Sequence, residues 1–136
     1  MGLDPVRRCV VSLRTPLGRA LGLGAAGKGT QHWWQQRVTA VALALLGAWF
    51  AICLLGLELA DRSAVIAWVA QPLNAALLAL LVLTAAWHSQ LGTRVIVEDY
   101  VKGALKVPLL VTLQFLHAAA AMVGIVAILQ IAIGGR

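Results

Sequence analysis

Three long apolar runs constrain what this chain can fold into. They lie at about residues 38–59, 72–97 and 107–133 of a 136-residue sequence. At about 1.5 Å per residue, a helix over each run is long enough to cross a hydrocarbon core of about 30 Å. A soluble protein would instead scatter its apolar residues through amphipathic segments, and 61% hydrophobic residues is well above the soluble average. The sequence therefore predicts an all-α integral membrane bundle of three transmembrane helices.

Proline and tryptophan help to place the ends of these spans. Pro72 suits the first turn of a helix, so we predict that the second span begins there. Trp33 and Trp34 precede the first run, as expected of indole rings that anchor a helix at the membrane interface. A polar turn at residues 58–63 reverses the chain, and residues 64–70 are expected to be an interfacial approach to the second span.

The charge pattern predicts an orientation. Residues 1–36 form a basic segment ahead of a membrane anchor domain of residues 37–136. We expect this segment to remain on the mature protein, although an arginine-rich, acid-poor start also suits a mitochondrial transit peptide. The loop between the second and third spans is basic as well, whereas the first loop carries only Arg62. The positive-inside rule then places the N-terminus and the second loop in the cytoplasm, or in the matrix of a mitochondrion. Arg37, Asp99 and Tyr100 are therefore expected on one membrane face.

The net charge and the cysteines point to no other class of protein. A formal charge of +6 is what basic cytoplasmic ends give a membrane protein, and no soluble surface interleaves aromatic with basic residues. We therefore predict no nucleic-acid partner. Cys9 and Cys53 are too far apart for a CxxC metal pair and form no disulfide framework.

His88 is a candidate site residue because an ionisable group within a span is costly and normally faces the bundle interior. Gly92 follows it by one turn and leaves room for a flat ring such as a porphyrin beside the imidazole. One histidine supplies one axial ligand to haem iron. The alternative is a neutral His88 that is hydrogen-bonded to a neighbouring helix.

Asp99 and Tyr100 form a second candidate site. At about 3.6 residues per turn, Asp99 lies on nearly the same face as His88 and about 16 Å further along, provided that the helix continues. A phenol can donate a hydrogen bond to a quinone carbonyl, and a nearby carboxylate can orient it or relay protons. The alternative is a solvated acid beside an interfacial tyrosine.

Two other histidines need an interpretation. We expect His117, in the third span, to be a packed and hydrogen-bonded histidine or a contact to a partner helix. His32 precedes the first span and is expected at the level of the lipid headgroups.

Two stretches resemble a known family, the D-subunit membrane anchors of succinate dehydrogenase (respiratory complex II). They are RTPLGRALGLGAAGKGTQHWWQQRVTA, from Arg14 to Ala40, and WHSQLGTRVIVEDYVKG, from Trp87 to Gly103. The three-helix hydropathy extends the resemblance over nearly the whole chain. The first stretch resembles the alphaproteobacterial form, and the spacing from the histidine to Asp-Tyr is the most specific signal. The resemblance therefore implies a bacterial inner-membrane protein.

The resemblance implies a role for each candidate residue. His88 corresponds to the family's axial ligand of a b-type haem, which is shared with a histidine of a second anchor. Arg37, in the motif RVTA, corresponds to an arginine near the haem propionates, and its guanidinium suits a carboxylate. Tyr100 corresponds to the tyrosine that hydrogen-bonds ubiquinone, with Asp99 beside it. The spacing from His32 to Arg37 differs from that in some relatives, so His32 is not assigned to a propionate.

The resemblance also implies the partners. The second anchor is a cytochrome b-type C subunit, and an iron-sulfur subunit and a flavoprotein subunit dock on the cytoplasmic face. Succinate oxidation belongs to the flavoprotein, so this chain is not catalytic alone. The alternatives are an anchor without a cofactor and a small transporter subunit. Against transport, the acidic residues of the spans and loops all lie at helix ends and no internal repeat occurs.

Overall fold

The computed structural model describes the backbone of residues 26–134 and the side chains of residues 30–134. The chain divides into two units, Met1–Gln31 and His32–Arg136, and the contacts described below lie within the second. The described elements are α1 (Ala26–Gly56), α2 (Arg62–Val69), α3 (Pro72–Tyr100), a 3₁₀ turn (Gly103–Leu105) and α4 (Lys106–Gly134).

Three of these helical segments are long and apolar enough to cross a membrane: Thr30–Gly56, Pro72–Tyr100 and Gly103–Gly134. No strand occurs in the described residues 26–134. The predicted all-α bundle of three spans is therefore confirmed.

The first helix begins earlier than the first apolar run. α1 starts at Ala26, inside the segment that we assigned to a basic N-terminal tail, and ends at Gly56. The apolar run marks only the stretch suited to lipid, whereas residues 31–37 are polar and aromatic and no proline interrupts them. A helix therefore need not begin at the residue where its apolar run begins. The arginines of the predicted tail lie outside the described residues: Arg7, Arg8, Arg14 and Arg19.

The connection between α1 and α3 is itself partly helical. Residues 64–70 were expected to be an interfacial approach, and most of them belong to the short helix α2. Asp61 caps this helix, since its carboxylate accepts hydrogen bonds of 2.8 Å from both the amide and the hydroxyl of Ser63. The indole of Trp68 stacks on that of Trp49, with ring centroids 5.9 Å apart, so α2 is held against α1.

The start of α3 agrees with the prediction. Pro72 occupies the first turn, where its missing N–H leaves no hydrogen bond unmade. Buried Asn74 donates to the carbonyl of Trp68 (2.9 Å) and to Oε1 of Gln71 (3.2 Å), which ties α3 to the end of α2. α3 then continues without a break to Tyr100, as the shared face of His88 and Asp99 requires.

α3 and α4 pack side by side and antiparallel. Gly124 faces Val82, His117 bonds Ser89, and Lys106 donates to the carbonyl of Glu98. As the residue number rises along α3, the number of its partner falls along α4, so the two helices run in opposite directions. At Gly124 a Cβ would lie 2.9 Å from Cγ1 of Val82, which shows how closely the helices approach.

Candidate functional site

His88 is held by two side chains of α1. Its Nδ1 lies 2.9 Å from the hydroxyl of Thr39, and its Nε2 lies 3.3 Å from the amide nitrogen of Gln36. Gln36 and Thr39 are three residues apart, so they lie on one face of α1. The imidazole is half-buried between the two helices.

Both contacts indicate the same tautomer of His88. The amide nitrogen of Gln36 is a donor only, so Nε2 of His88 accepts from it. The Thr39 hydroxyl has one hydrogen, which it donates to the carbonyl of Gln35 (2.9 Å) or Gln36 (3.1 Å). Its oxygen then accepts from the Nδ1–H of His88. These contacts match a ring with its proton on Nδ1 and a lone pair on Nε2.

Gly92 opens the face next to this lone pair. A Cβ built at Gly92 would meet only the Nε2 atom of Gln36, at 3.7 Å, which is ordinary van der Waals contact. The other end of the same amide, Oε1 of Gln36, is buried and has no hydrogen-bond partner among the described residues. A flexible side chain with one unsatisfied polar atom thus fills the space between Gly92 and His88.

Comparison of the sequence with known proteins identifies a family. The sequence pattern of the family described as "Succinate dehydrogenase/Fumarate reductase transmembrane subunit" matches residues 12–131. The chain belongs to this family. Similar proteins include two succinate dehydrogenase hydrophobic membrane anchor subunits. The one from Paracoccus denitrificans is 36% identical over 68% of this chain and 71% of its own length. The one from Rickettsia bellii (strain RML369-C) is 33% identical over 65% and 70%.

The predicted resemblance to alphaproteobacterial succinate dehydrogenase anchors is confirmed by these relatives. No solved structure matches the chain with comparable significance.

Arg37 lies at the level of His88 on α1, one residue after Gln36. We expected Arg37 on the same membrane face as Asp99. Its neighbour Gln36 contacts His88, which precedes Asp99 by eleven residues, or about 16 Å along α3. Its guanidinium lies over the ring of Trp33, 5.1 Å from the ring centroid, and the residue is exposed. Arg37 is thus grouped with His88 and not with the end of α3.

Asp99 and Tyr100 are exposed at the C-terminal end of α3. Tyr100 is 82% exposed, and neither side chain has a hydrogen-bond partner in the part of the chain that the structure describes. The phenol and the carboxylate are therefore both available to groups outside this subunit. The chain alone does not bring them together into an enclosed site.

His117 and His32 line a different space. A cavity of about 510 Å³ lies between α3, α4 and part of α1, with His32 and His117 in its wall. Its lining does not include His88, Gly92, Gln36 or Thr39. This cavity is therefore separate from the His88 site.

Hydrogen bonds hold the His117 ring in place. Its Nδ1 donates to the carbonyl of Leu113 (2.7 Å), and its Nε2 accepts from the hydroxyl of Ser89 (3.1 Å). It is the packed, hydrogen-bonded histidine that we expected. His32 is half-buried, and its Nε2 is buried without a partner among the described residues.

The residues around His88 fit an axial position of a b-type haem. His88 would hold the iron through Nε2, the flexible amide of Gln36 lies beside that atom, and Gly92 adds no bulk there. No group of three or more His, Cys, Asp or Glu side chains in the described residues is placed to hold a metal ion.

Sequence reasoning missed two members of this site, Gln36 and Thr39. Their spacing puts them on one helix face, which was visible in the sequence. The sequence did not reveal that this face of α1 turns towards His88, because the polar stretch from Gln31 to Arg37 offered no apolar stripe to orient the helix.

Proposed function

We propose that this chain is the membrane anchor subunit of a succinate dehydrogenase in a bacterial inner membrane. It pairs with a cytochrome b-type C subunit and holds the iron-sulfur and flavoprotein subunits on the cytoplasmic side. The family membership and the three spans support the anchor role. Arg94, Lys102 and Lys106 near the second loop support a cytoplasmic N-terminus.

His88 is, in this proposal, one axial ligand of a haem b shared with the C subunit. The observation that carries it is the pair of contacts of His88: Nδ1 lies 2.9 Å from the Thr39 hydroxyl, and Nε2 lies on the side left open by Gly92. Gly92 would permit close approach of the ring, and Arg37 would pair with a propionate. When bound, the haem supplies one-electron chemistry, while this chain supplies the ligand and its orientation.

The haem proposal is tested by the reduced-minus-oxidised absorbance spectrum of membranes that carry the whole complex. His88→Leu should abolish the b-type signal per assembled complex. His117→Leu is the matched control, since it removes a histidine of similar exposure from the neighbouring helix and should retain the signal. An unchanged b-type signal in assembled His88→Leu complexes contradicts the ligand role.

Tyr100 and Asp99 form, in this proposal, part of the site where ubiquinone is reduced. The Tyr100 hydroxyl donates to a carbonyl of the quinone headgroup, and the Asp99 carboxylate orients the phenol or relays a proton. Their exposure at the end of α3 supports this role, because partner subunits can then enclose the headgroup.

A comparison of two electron acceptors tests the quinone proposal. Tyr100→Phe removes only the hydroxyl, so succinate:ubiquinone activity should fall on the order of tenfold or more. Succinate oxidation with an artificial acceptor, which bypasses the membrane subunits, should stay near that of the wild type. Equal losses in both assays count against a role of Tyr100 in quinone reduction.

One observation favours a second candidate, an anchor that lacks haem. Both ring nitrogens of His88 have hydrogen-bond partners on α1, as expected of a histidine that only joins two helices. The absorbance spectrum separates the two candidates, since a haem-free anchor gives assembled and active complexes with no b-type signal in the wild type.

A further inference from the structure

Thr39 is well placed to control the chemistry of His88. Its hydroxyl is turned back onto the helix, 2.9 Å from the carbonyl of Gln35, in the rotamer that threonine commonly adopts in helices. This contact uses the only hydrogen of the hydroxyl, so the oxygen presents its lone pairs to Nδ1 of His88 at 2.9 Å. The backbone of α1 thereby fixes an acceptor in front of one nitrogen of the ring.

A fixed acceptor at Nδ1 has two consequences for the ring. It requires the proton to be on Nδ1, which leaves the lone pair on Nε2, and it sets the direction in which that lone pair points. Gln36 shows that direction, because its amide nitrogen lies 3.3 Å from Nε2 on the side of Gly92. Without the acceptor, only the long contact from Gln36 would favour the proton on Nδ1, so the other tautomer would gain population and the ring would rotate more freely.

We propose that Thr39 is the positioning residue of the haem ligand: it fixes the tautomer and orientation of His88 and strengthens Nε2 as a donor to iron. This inference rests on the proposed haem function. A hydrogen bond from Nδ1–H to an acceptor raises the basicity of the ligand, which favours ferric over ferrous iron. Loss of the acceptor should therefore raise the midpoint potential of the haem and weaken its retention.

The test uses the whole complex with Thr39→Val, which removes the acceptor at nearly constant volume. We expect a higher midpoint potential, an altered low-spin signal in electron paramagnetic resonance, and haem affinity reduced on the order of tenfold or more. Thr39→Ser keeps the hydroxyl and should restore all three. If Thr39→Val does not assemble, Thr39→Ala is measured per assembled complex in the same way.

Thr93→Val is a matched control. The Thr93 hydroxyl makes the same backbone contacts on α3, to the carbonyls of Ser89 (2.9 Å) and Gln90 (3.1 Å), but it does not contact His88. The Thr93→Val variant should leave the midpoint potential and the electron paramagnetic resonance spectrum of the haem unchanged. Equal effects of Thr93→Val and Thr39→Val would show a general effect on helix packing and would overturn the inference.

A measurement without haem separates this inference from the proposed function. In the full chain produced without haem and labelled with ¹⁵N-histidine, NMR should show His88 as the Nδ1–H tautomer, and Thr39→Val should shift it towards a mixture. His117, whose Nδ1 bonds to Leu113, is the internal reference. If His88→Leu abolishes the b-type signal while Thr39→Val changes neither tautomer nor potential, the haem function stands and the role of Thr39 falls. If His88→Leu leaves the b-type signal unchanged, both the haem function and the role of Thr39 are contradicted.

Discussion

Single residues on different faces of α3 have different tasks. His88 and Gly92 face the polar start of α1, where Gln36 and Thr39 meet the imidazole. Val82 faces α4 in the packed interior, at the close contact with Gly124. The same helix thus serves both as a packing element and as the support of a candidate ligand. Substitutions at neighbouring positions should accordingly have separable effects.

Gly92 offers a graded test of the space beside His88. Gly92→Ala adds a Cβ 3.7 Å from Gln36, in the space proposed for the porphyrin, so haem content per assembled complex should fall slightly. Gly92→Leu overfills the same space at a cost of about 1–3 kcal/mol, and haem content should fall. Gly47→Leu, on α1 where nothing lies within 4 Å, is the control. Full haem occupancy in Gly92→Leu would contradict the placement of the ring.

Asp61 predicts a local dependence on pH. Hydrogen bonds from the hydroxyl and the amide of Ser63 lower the pKa of its carboxyl from the ordinary value of 3.8. Because the folded-state pKa is the lower one, the stabilising effect of this cap is fully present above about pH 4. It is lost as the pH falls through the folded-state pKa.

Hydrogen exchange of the Val65 amide, which bonds the Asp61 carbonyl in the first turn of α2, measures this effect. Protection should decrease in acid in the wild type, after correction for the intrinsic exchange rate. Asp61→Asn keeps an oxygen acceptor but does not titrate, so its protection should be nearly independent of pH. Identical pH profiles would show that the carboxylate does not stabilise α2.

At the scale of the helices, the contact between Gly124 and Val82 sets the distance between α3 and α4. Gly124→Ala would place a Cβ 2.9 Å from Cγ1 of Val82, whose branched side chain has little rotational freedom in a helix. We expect destabilisation of about 1–3 kcal/mol, measured as a lower thermal stability of the complex. Val82→Ala in the same chain should relieve most of it. If the double variant is no more stable than Gly124→Ala, the close contact does not control the packing.

The helices were largely predictable from the sequence because apolar runs and Pro72 mark them directly. The start of α1 at Ala26 was not, since a helix can continue beyond lipid with polar residues. His88 and Gly92 could be singled out by residue type and spacing. Gln36 and Thr39 could not, because their role depends on the rotation of α1 about its own axis. That rotation is decided by contacts between helices, such as the stacking of Trp49 on Trp68.

For the whole chain, the main feature is how few of the described residues are buried. Among the described residues, only Val69, Asn74, Ala75, Leu91, Val97 and Ala121 are buried. Within the most apolar windows of the three spans, 0%, 6% and 11% of the residues are buried. Such helices need lipid or another protein along most of their length, as expected of an anchor that works inside a larger complex.

The proposed orientation is testable by labelling in a chain whose native cysteines are replaced (Cys9→Ser and Cys53→Ser). A membrane-impermeant maleimide added to intact spheroplasts should modify Arg62→Cys, in the first loop. The same maleimide should modify Lys102→Cys, in the second loop, only after the membranes are opened and the complex is dissociated. The positive-inside rule predicts this pattern, and the reverse pattern would place the N-terminus outside the cytoplasm.

The contact of Gln36 with His88 bears on the order of assembly. In the chain by itself the Nε2 lone pair already accepts a hydrogen bond, although a long one of 3.3 Å. On the haem proposal, Nε2 of His88 would give up this weak bond, of about 0.5–1.5 kcal/mol, when it holds the haem iron. Before the cofactor binds, the amide of Gln36 keeps the lone pair on Nε2 of His88 and holds the ring in one orientation.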